Sequence, residues 1–101
     1  MNPNTMSWHH VTLLHDMAQK GVIDKAELLI KYGAAIDPVD EEYQSTPLGM
    51  AARWGNIEMV EYLLSKGADV NLSGAQWATP LAWARKKGHT EIETVLLQHN
   101  K

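Results

Sequence analysis

Residues able to do chemistry are few in this sequence, and their spacing does not suit catalysis. His9, His10 and His15 lie near the start, but His10 and His15 are five positions apart. A helix would not bring that pair together as the i, i+4 spacing of a zinc site requires. Asp40-Glu41-Glu42 could attract a hard cation, yet the run lacks the glycine and the spaced oxygen ligands of a calcium loop and reads as a solvated tip. There is no cysteine, so a thiol nucleophile, a thiolate metal site and a disulfide framework are excluded. No glycine-rich phosphate loop and no Gly-x-Ser-x-Gly elbow occurs. An active site needs a nucleophile, an acid–base pair or a metal cluster. None is visible, so the chain is expected not to be an enzyme and to use no cofactor and no metal.

Recognition chemistry is better represented. Tyr43, Arg53, Trp54, Gln76, Trp77 and Lys86 are the aromatic, basic and amide side chains from which an interface could be built. Their value depends on the elements that carry them. A chain of 101 residues, 45% hydrophobic and 21% charged, suits one small folded domain rather than a disordered segment. Nine Lys plus Arg against twelve Asp plus Glu give a net charge of -3, which offers no broad basic footprint for nucleic acid. No apolar run approaches membrane-spanning length, and residues 1–6 lack the basic start and apolar core of a signal peptide. A cytoplasmic protein without membrane attachment is expected.

Stability in so small a chain without disulfides calls for stacked units that share a core. Thr46-Pro47-Leu48 recurs as Thr79-Pro80-Leu81 after 33 residues, and Thr12-Leu13-Leu14 lies 34 residues before it. The same register relates Gly21, Gly55 and Gly88, and also Leu29, Leu63 and Leu96. Each unit reads as two short helices. Thr46 and Thr79 are N-cap residues followed by proline at the first helical position, where a missing N–H costs nothing. Gly55 and Gly88 interrupt the chain after about two turns, and second helices are expected from near Glu58 and Glu91. Gly33 and Gly67, with Asn100 in the third unit, are placed at the left-handed position that follows a helix. Helices this short do not persist alone in water and must be held by neighbours.

Residues 46–71, from Thr46-Pro47-Leu48 through Trp54-Gly55-Asn56 to Gly67-Ala68-Asp69-Val70-Asn71, closely resemble the ankyrin repeat. Residues 79–101 resemble it nearly as well, and residues 12–37 form a more degenerate copy. The resemblance implies an all-α, ankyrin-like solenoid of three helix-turn-helix repeats joined by hairpin-like loops. It would form a single domain over 1–101, with repeats at about 8–40, 41–73 and 74–101. Two departures stand out. Gly49 and Ala82 replace the histidine that usually follows the Thr-Pro-Leu triplet, which only His15 retains, so histidine-mediated bonding between repeats is in doubt. Gln44 and Trp77 stand where the connecting loops usually carry a turn glycine, so irregular fingers are expected.

Comparison of equivalent positions predicts polar outer faces. Asp16 and Lys25 in the first unit correspond to Met50 and Met59, and Arg85 and Glu93 in the third correspond to Ala52 and Val60. The terminal units therefore read as caps, with no fourth repeat expected beyond Glu93. Trp83 maps onto Met50 and is expected in the core, and Trp8 is expected to cover the outer helix of the first unit.

Ankyrin-like stacks usually bind through finger tips and the inner face of the first helices, and the resemblance implies that surface here. Its finger positions are Glu42, Tyr43 and Ser45, then Ala75, Gln76, Trp77 and Ala78. Trp54 replaces Lys20 and Lys87 of the flanking units, so packing does not demand an aromatic there, and it is a candidate anchor. Trp77 is either a second anchor or a substitute that closes a turn without glycine. Lys20, Arg53, Lys86 and Lys87 would make the groove locally basic, which suits an acidic or mixed-charge peptide. The expected function is a monomeric protein-protein interaction module that binds a partner protein or peptide. The alternatives are a self-associating structural element, with Trp54 and Trp77 pairing between subunits, or a small-molecule-binding or enzymatic protein built on the same stack.

Overall fold

The computed structural model describes residues 12–99. Trp8, His9, His10 and Asn100 lie outside the described residues. Three helix pairs follow one another: α1 (Leu13–Lys20) with α2 (Ile23–Lys31), α3 (Pro47–Trp54) with α4 (Ile57–Ser65), and α5 (Pro80–Lys87) with α6 (Thr90–His99). The first helices stack as one layer in the order α1, α3, α5, and the second helices stack behind them as α2, α4, α6. The architecture is an all-α solenoid.

Local chemistry starts and stops each inner helix as the sequence predicts. The hydroxyls of Thr12, Thr46 and Thr79 accept hydrogen bonds from the backbone N–H groups of His15, Gly49 and Ala82, with Pro47 and Pro80 at the helix start. Gly55 ends α3 in the left-handed region at φ 77°, where a β-carbon would be strained and would also meet the His89 ring 2.8 Å away. That contact shows how successive pairs are tied together. His89 Nε2 lies 3.1 Å from the Arg53 carbonyl, and Asn56, one pair earlier, donates from Nδ2 to the Ala18 and Gln19 carbonyls at 2.9 Å. Each of these residues thus satisfies a carbonyl at the open end of the preceding inner helix.

The core is continuous along the stack. Leu14, Ala18, Leu48, Ala51, Ala52, Met59, Val60, Leu63, Ala84, Ile92 and Leu96 are buried in one cluster, with Trp83 among them as predicted. At the far end, Arg85 Nε pairs with Glu93 at 2.8 Å on the exposed outer face of the third helix pair, which matches the polar face expected there. The first pair differs from expectation. Asp16 is tied to Lys20 at 3.2 Å, but Lys25 lies in an apolar groove of about 420 Å³ with Leu13, Met17, Leu28 and Leu29. Two polar positions therefore do not make that face polar, because the leucines and the methionine around them remain in view.

Candidate functional site

The finger that precedes α3 is built around two buried polar residues. Asp40 is 1% exposed, and its carboxylate accepts the Tyr43 N–H at 2.7 Å and the Ser45 N–H at 2.9 Å, while its own N–H donates to the Ser45 carbonyl at 2.9 Å. This corrects the reading of Asp40 as part of a solvated tip; only Glu41 and Glu42 of that run are exposed. A buried carboxylate is tolerable here because backbone N–H donors satisfy it. Gln44, in the place of the usual glycine, adopts φ 51°. Its counterpart Trp77 avoids the left-handed region, because that finger closes with a 3-10 turn over Gln76–Ala78 instead. Among the described residues the fingers pair only through an isolated antiparallel bridge between Ser45 and Ser73, so they are irregular, as expected.

Ser45 joins the first unit to the second and the second to the third. His15 Nε2 lies 2.8 Å from the Ser45 carbonyl, while His15 Nδ1 faces the Thr12 N–H at 3.2 Å and hydroxyl at 2.9 Å. An Nδ1 that accepts from Thr12 leaves the proton on Nε2, donated to Ser45. Burial is the main cause that pushes His15 below its ordinary value of 6.5, with the Ser45 carbonyl, the Asp40 charge and the Pro38 carbonyl opposing it. The histidine bond between repeats, in doubt from the sequence, is therefore present at His15. One pair further on, Trp83 supplies the corresponding link, with its indole N–H 2.7 Å from the Ser45 hydroxyl. Ser45 and Ala78 are fully buried, so neither lines the finger surface on which the sequence placed them.

Trp83 is also the floor of an aromatic cluster. Tyr43 meets it edge-on with ring centres 6.4 Å apart, and Trp77 meets it edge-on at 6.0 Å. Arg53 lies in the last turn of α3, and helical side chains lean toward the helix N-terminus, which carries it back over the finger. Its guanidinium carbon is 4.6 Å from the Tyr43 ring centre, 4.8 Å from Trp54 and 5.0 Å from Trp83. Lys86, one repeat on from Arg53, holds its ammonium 5.4 Å from the Trp83 ring. Five of the six candidate residues are thus brought together around Trp83. Gln76 is exposed at the start of the 3-10 turn and takes no part in these ring contacts.

Exposure separates floor from rim. Trp83 is 4% exposed, whereas Trp54 and Trp77 are 48% and 53% exposed. Trp77 both packs edge-on against the floor and stays half open. Of the four basic groups expected along the groove, Arg53 and Lys86 contact the cluster's rings, Lys20 is held by Asp16, and Lys87 is exposed. Sequence reasoning missed Asp40 and Ser45 as the residues that position it. The available signal was the coincidence of Gly49, in the usual histidine place, with Trp83 in the next unit. Among the described residues no group of three or more His, Asp or Glu is placed to hold a metal ion, and no helix is long and apolar enough to cross a membrane.

Comparison with known proteins agrees with the stack. A family model described as ankyrin repeats (3 copies) matches residues 2–74. The ARF GTPase-activating protein Git of Drosophila melanogaster is 36% identical over 84 residues, which are 83% of this chain and 12% of that protein. The ankyrin repeat protein nuc-2 of Neurospora crassa is 34% identical over 88 residues, 86% of this chain and 8% of that protein. The palmitoyltransferase ZDHHC17 of Rattus norvegicus is 41% identical over 63 residues, 62% of this chain and 10% of that protein. The chain thus spans about a tenth of the length of these relatives.

Proposed function

We propose that this chain, which belongs to the ankyrin-repeat family, is a non-catalytic module that binds a partner protein or peptide through its finger loops and the face of its inner helices. Ankyrin repeats are generally protein-protein interaction modules. The chain acts as a monomeric domain in the cytoplasm. The observation that carries this reading is the cluster on Trp83, where the Arg53 guanidinium lies 4.6 to 5.0 Å from three ring centres while Trp54 and Trp77 remain half exposed. Tryptophan, tyrosine and arginine are the residue types that dominate interface energetics. Side chains already held by ring contacts lose less rotamer freedom when a partner docks. Fold alone does not select a surface; the clustered chemistry is what supports this one.

Paired affinity captures test the reading, with the wild-type chain and a Trp54→Ala/Trp77→Ala chain as baits. A partner retained by the first and lost by the second, with both baits folded, supports it. Equal retention by both baits contradicts it.

A further inference from the structure

Arg53 is unusual in what it lacks. Its guanidinium lies close to the Tyr43, Trp54 and Trp83 rings, yet its Nε is buried without a hydrogen-bond partner, and no Asp or Glu among the described residues pairs with it. The rings attract the positive charge through their faces, but they do not satisfy N–H donors. Arg85 of the next unit, by contrast, is paired with Glu93. Lys86 adds a second cation 5.4 Å from the Trp83 ring, again without a carboxylate partner among the described residues. In a protein with a net charge of -3, this is a local site of opposite sign, set against aromatic rings and partly shielded from water.

We propose that the partner presents a carboxylate side chain to Arg53, flanked by an apolar residue that lies against Trp54 and Trp77. This deepens the protein-binding reading and rests on it. The buried Nε is out of a docking residue's reach, but the two terminal Nη groups are not buried with it; they offer paired donors that match the two oxygens of a carboxylate, and the pair strengthens where rings exclude water. The half-exposed indoles of Trp54, against Arg53, and of Trp77, against Trp83, favour an apolar neighbour of that acid. A dianionic phosphate fits less well, because a single arginine and one lysine beside three apolar rings supply little charge to match it.

A displayed library of random 12-residue peptides, selected on the wild-type chain and counter-selected on the Trp54→Ala/Trp77→Ala chain, tests the proposal. The selected peptides carry Asp or Glu within two positions of an apolar residue. Replacing that Glu by Gln in a synthetic peptide weakens binding at least tenfold, and Arg53→Lys removes most of the difference between the two peptides. Should Arg53→Lys lower the melting curve, the comparison of Glu and Gln peptides on the wild-type chain decides alone. Peptides that require Trp54 and Trp77 but bind equally with Glu or Gln overturn the carboxylate and leave the binding surface standing. Tighter binding by a phosphoserine peptide at the same position also overturns it. A selection that returns no peptide dependent on the two tryptophans overturns the surface as well.

Discussion

Trp83 and Ser45, 38 positions apart, are joined by a 2.7 Å hydrogen bond from the indole N–H to the serine hydroxyl, and both side chains are buried. The bond ties α5 to the finger before α3. The serine proton in turn reaches the Tyr43 carbonyl at 2.7 Å, with the Ala78 carbonyl at 3.3 Å. Gly49 makes room for it, since a β-carbon there would sit 3.1 Å from that of Ser45. One polar link thus fixes the orientation of the ring on which Tyr43, Arg53 and Trp77 rest.

Ser45→Ala removes the acceptor and leaves a buried indole N–H unsatisfied. Such a loss costs about 1–3 kcal/mol. Urea unfolding of the two chains measures it; a difference below about 0.5 kcal/mol would show that the link carries no weight.

The pH dependence of stability follows from His15. Its proton affinity is lowered on folding, chiefly by burial, so below about pH 6.5 the unfolded chain holds more protons than the folded one. The stability contributed by neutral His15 is complete above that pH and is lost progressively as the pH falls toward the folded value. Unfolding curves at pH 7.5 and 5.5 should show a larger drop for wild type than for His15→Gln, which lacks the buried imidazole. Equal drops would remove His15 from the explanation.

Gln44→Gly tests the strained finger. A left-handed conformation costs a non-glycine residue roughly 1–2 kcal/mol, offset by about 0.5–1 kcal/mol of extra chain entropy in glycine. The side-chain bond from Gln44 to the Glu41 carbonyl is exposed and its loss subtracts little. The melting temperature is expected to rise by about 2–6 °C. A fall would mean that the Gln44 side chain contributes more than its backbone costs.

The contrast between legible and hidden features has a physical basis. Helix starts at Thr46-Pro47 and Thr79-Pro80 and the stop at Gly55 were readable because capping is local chemistry. Trp83 was readable as core because register places it at the Met50 position. Asp40 and Ser45 were not, since both residue types are common in solvated turns and are buried here only through contacts made across the finger and from the neighbouring repeats. The basic character of Arg53 was visible, but its approach to three rings depends on how the finger, α3 and α5 place Tyr43, Trp54 and Trp83. The groove at Leu13, Met17, Leu28 and Leu29 was hidden because Asp16 and Lys25 drew attention to two polar positions on a face that also carries apolar ones.

The central claim is that partners dock on the Trp83-floored cluster. Amide, indole and arginine side-chain NMR spectra of the labelled chain, recorded as a selected peptide or captured partner is added, test it most directly. The largest shifts are expected at Tyr43, Arg53, Trp54, Trp77 and Lys86, with the backbone of Gln76 following as the finger adjusts. Shifts concentrated instead at Leu13, Met17, Leu28 and Leu29, with the tryptophan indoles unmoved, would contradict it.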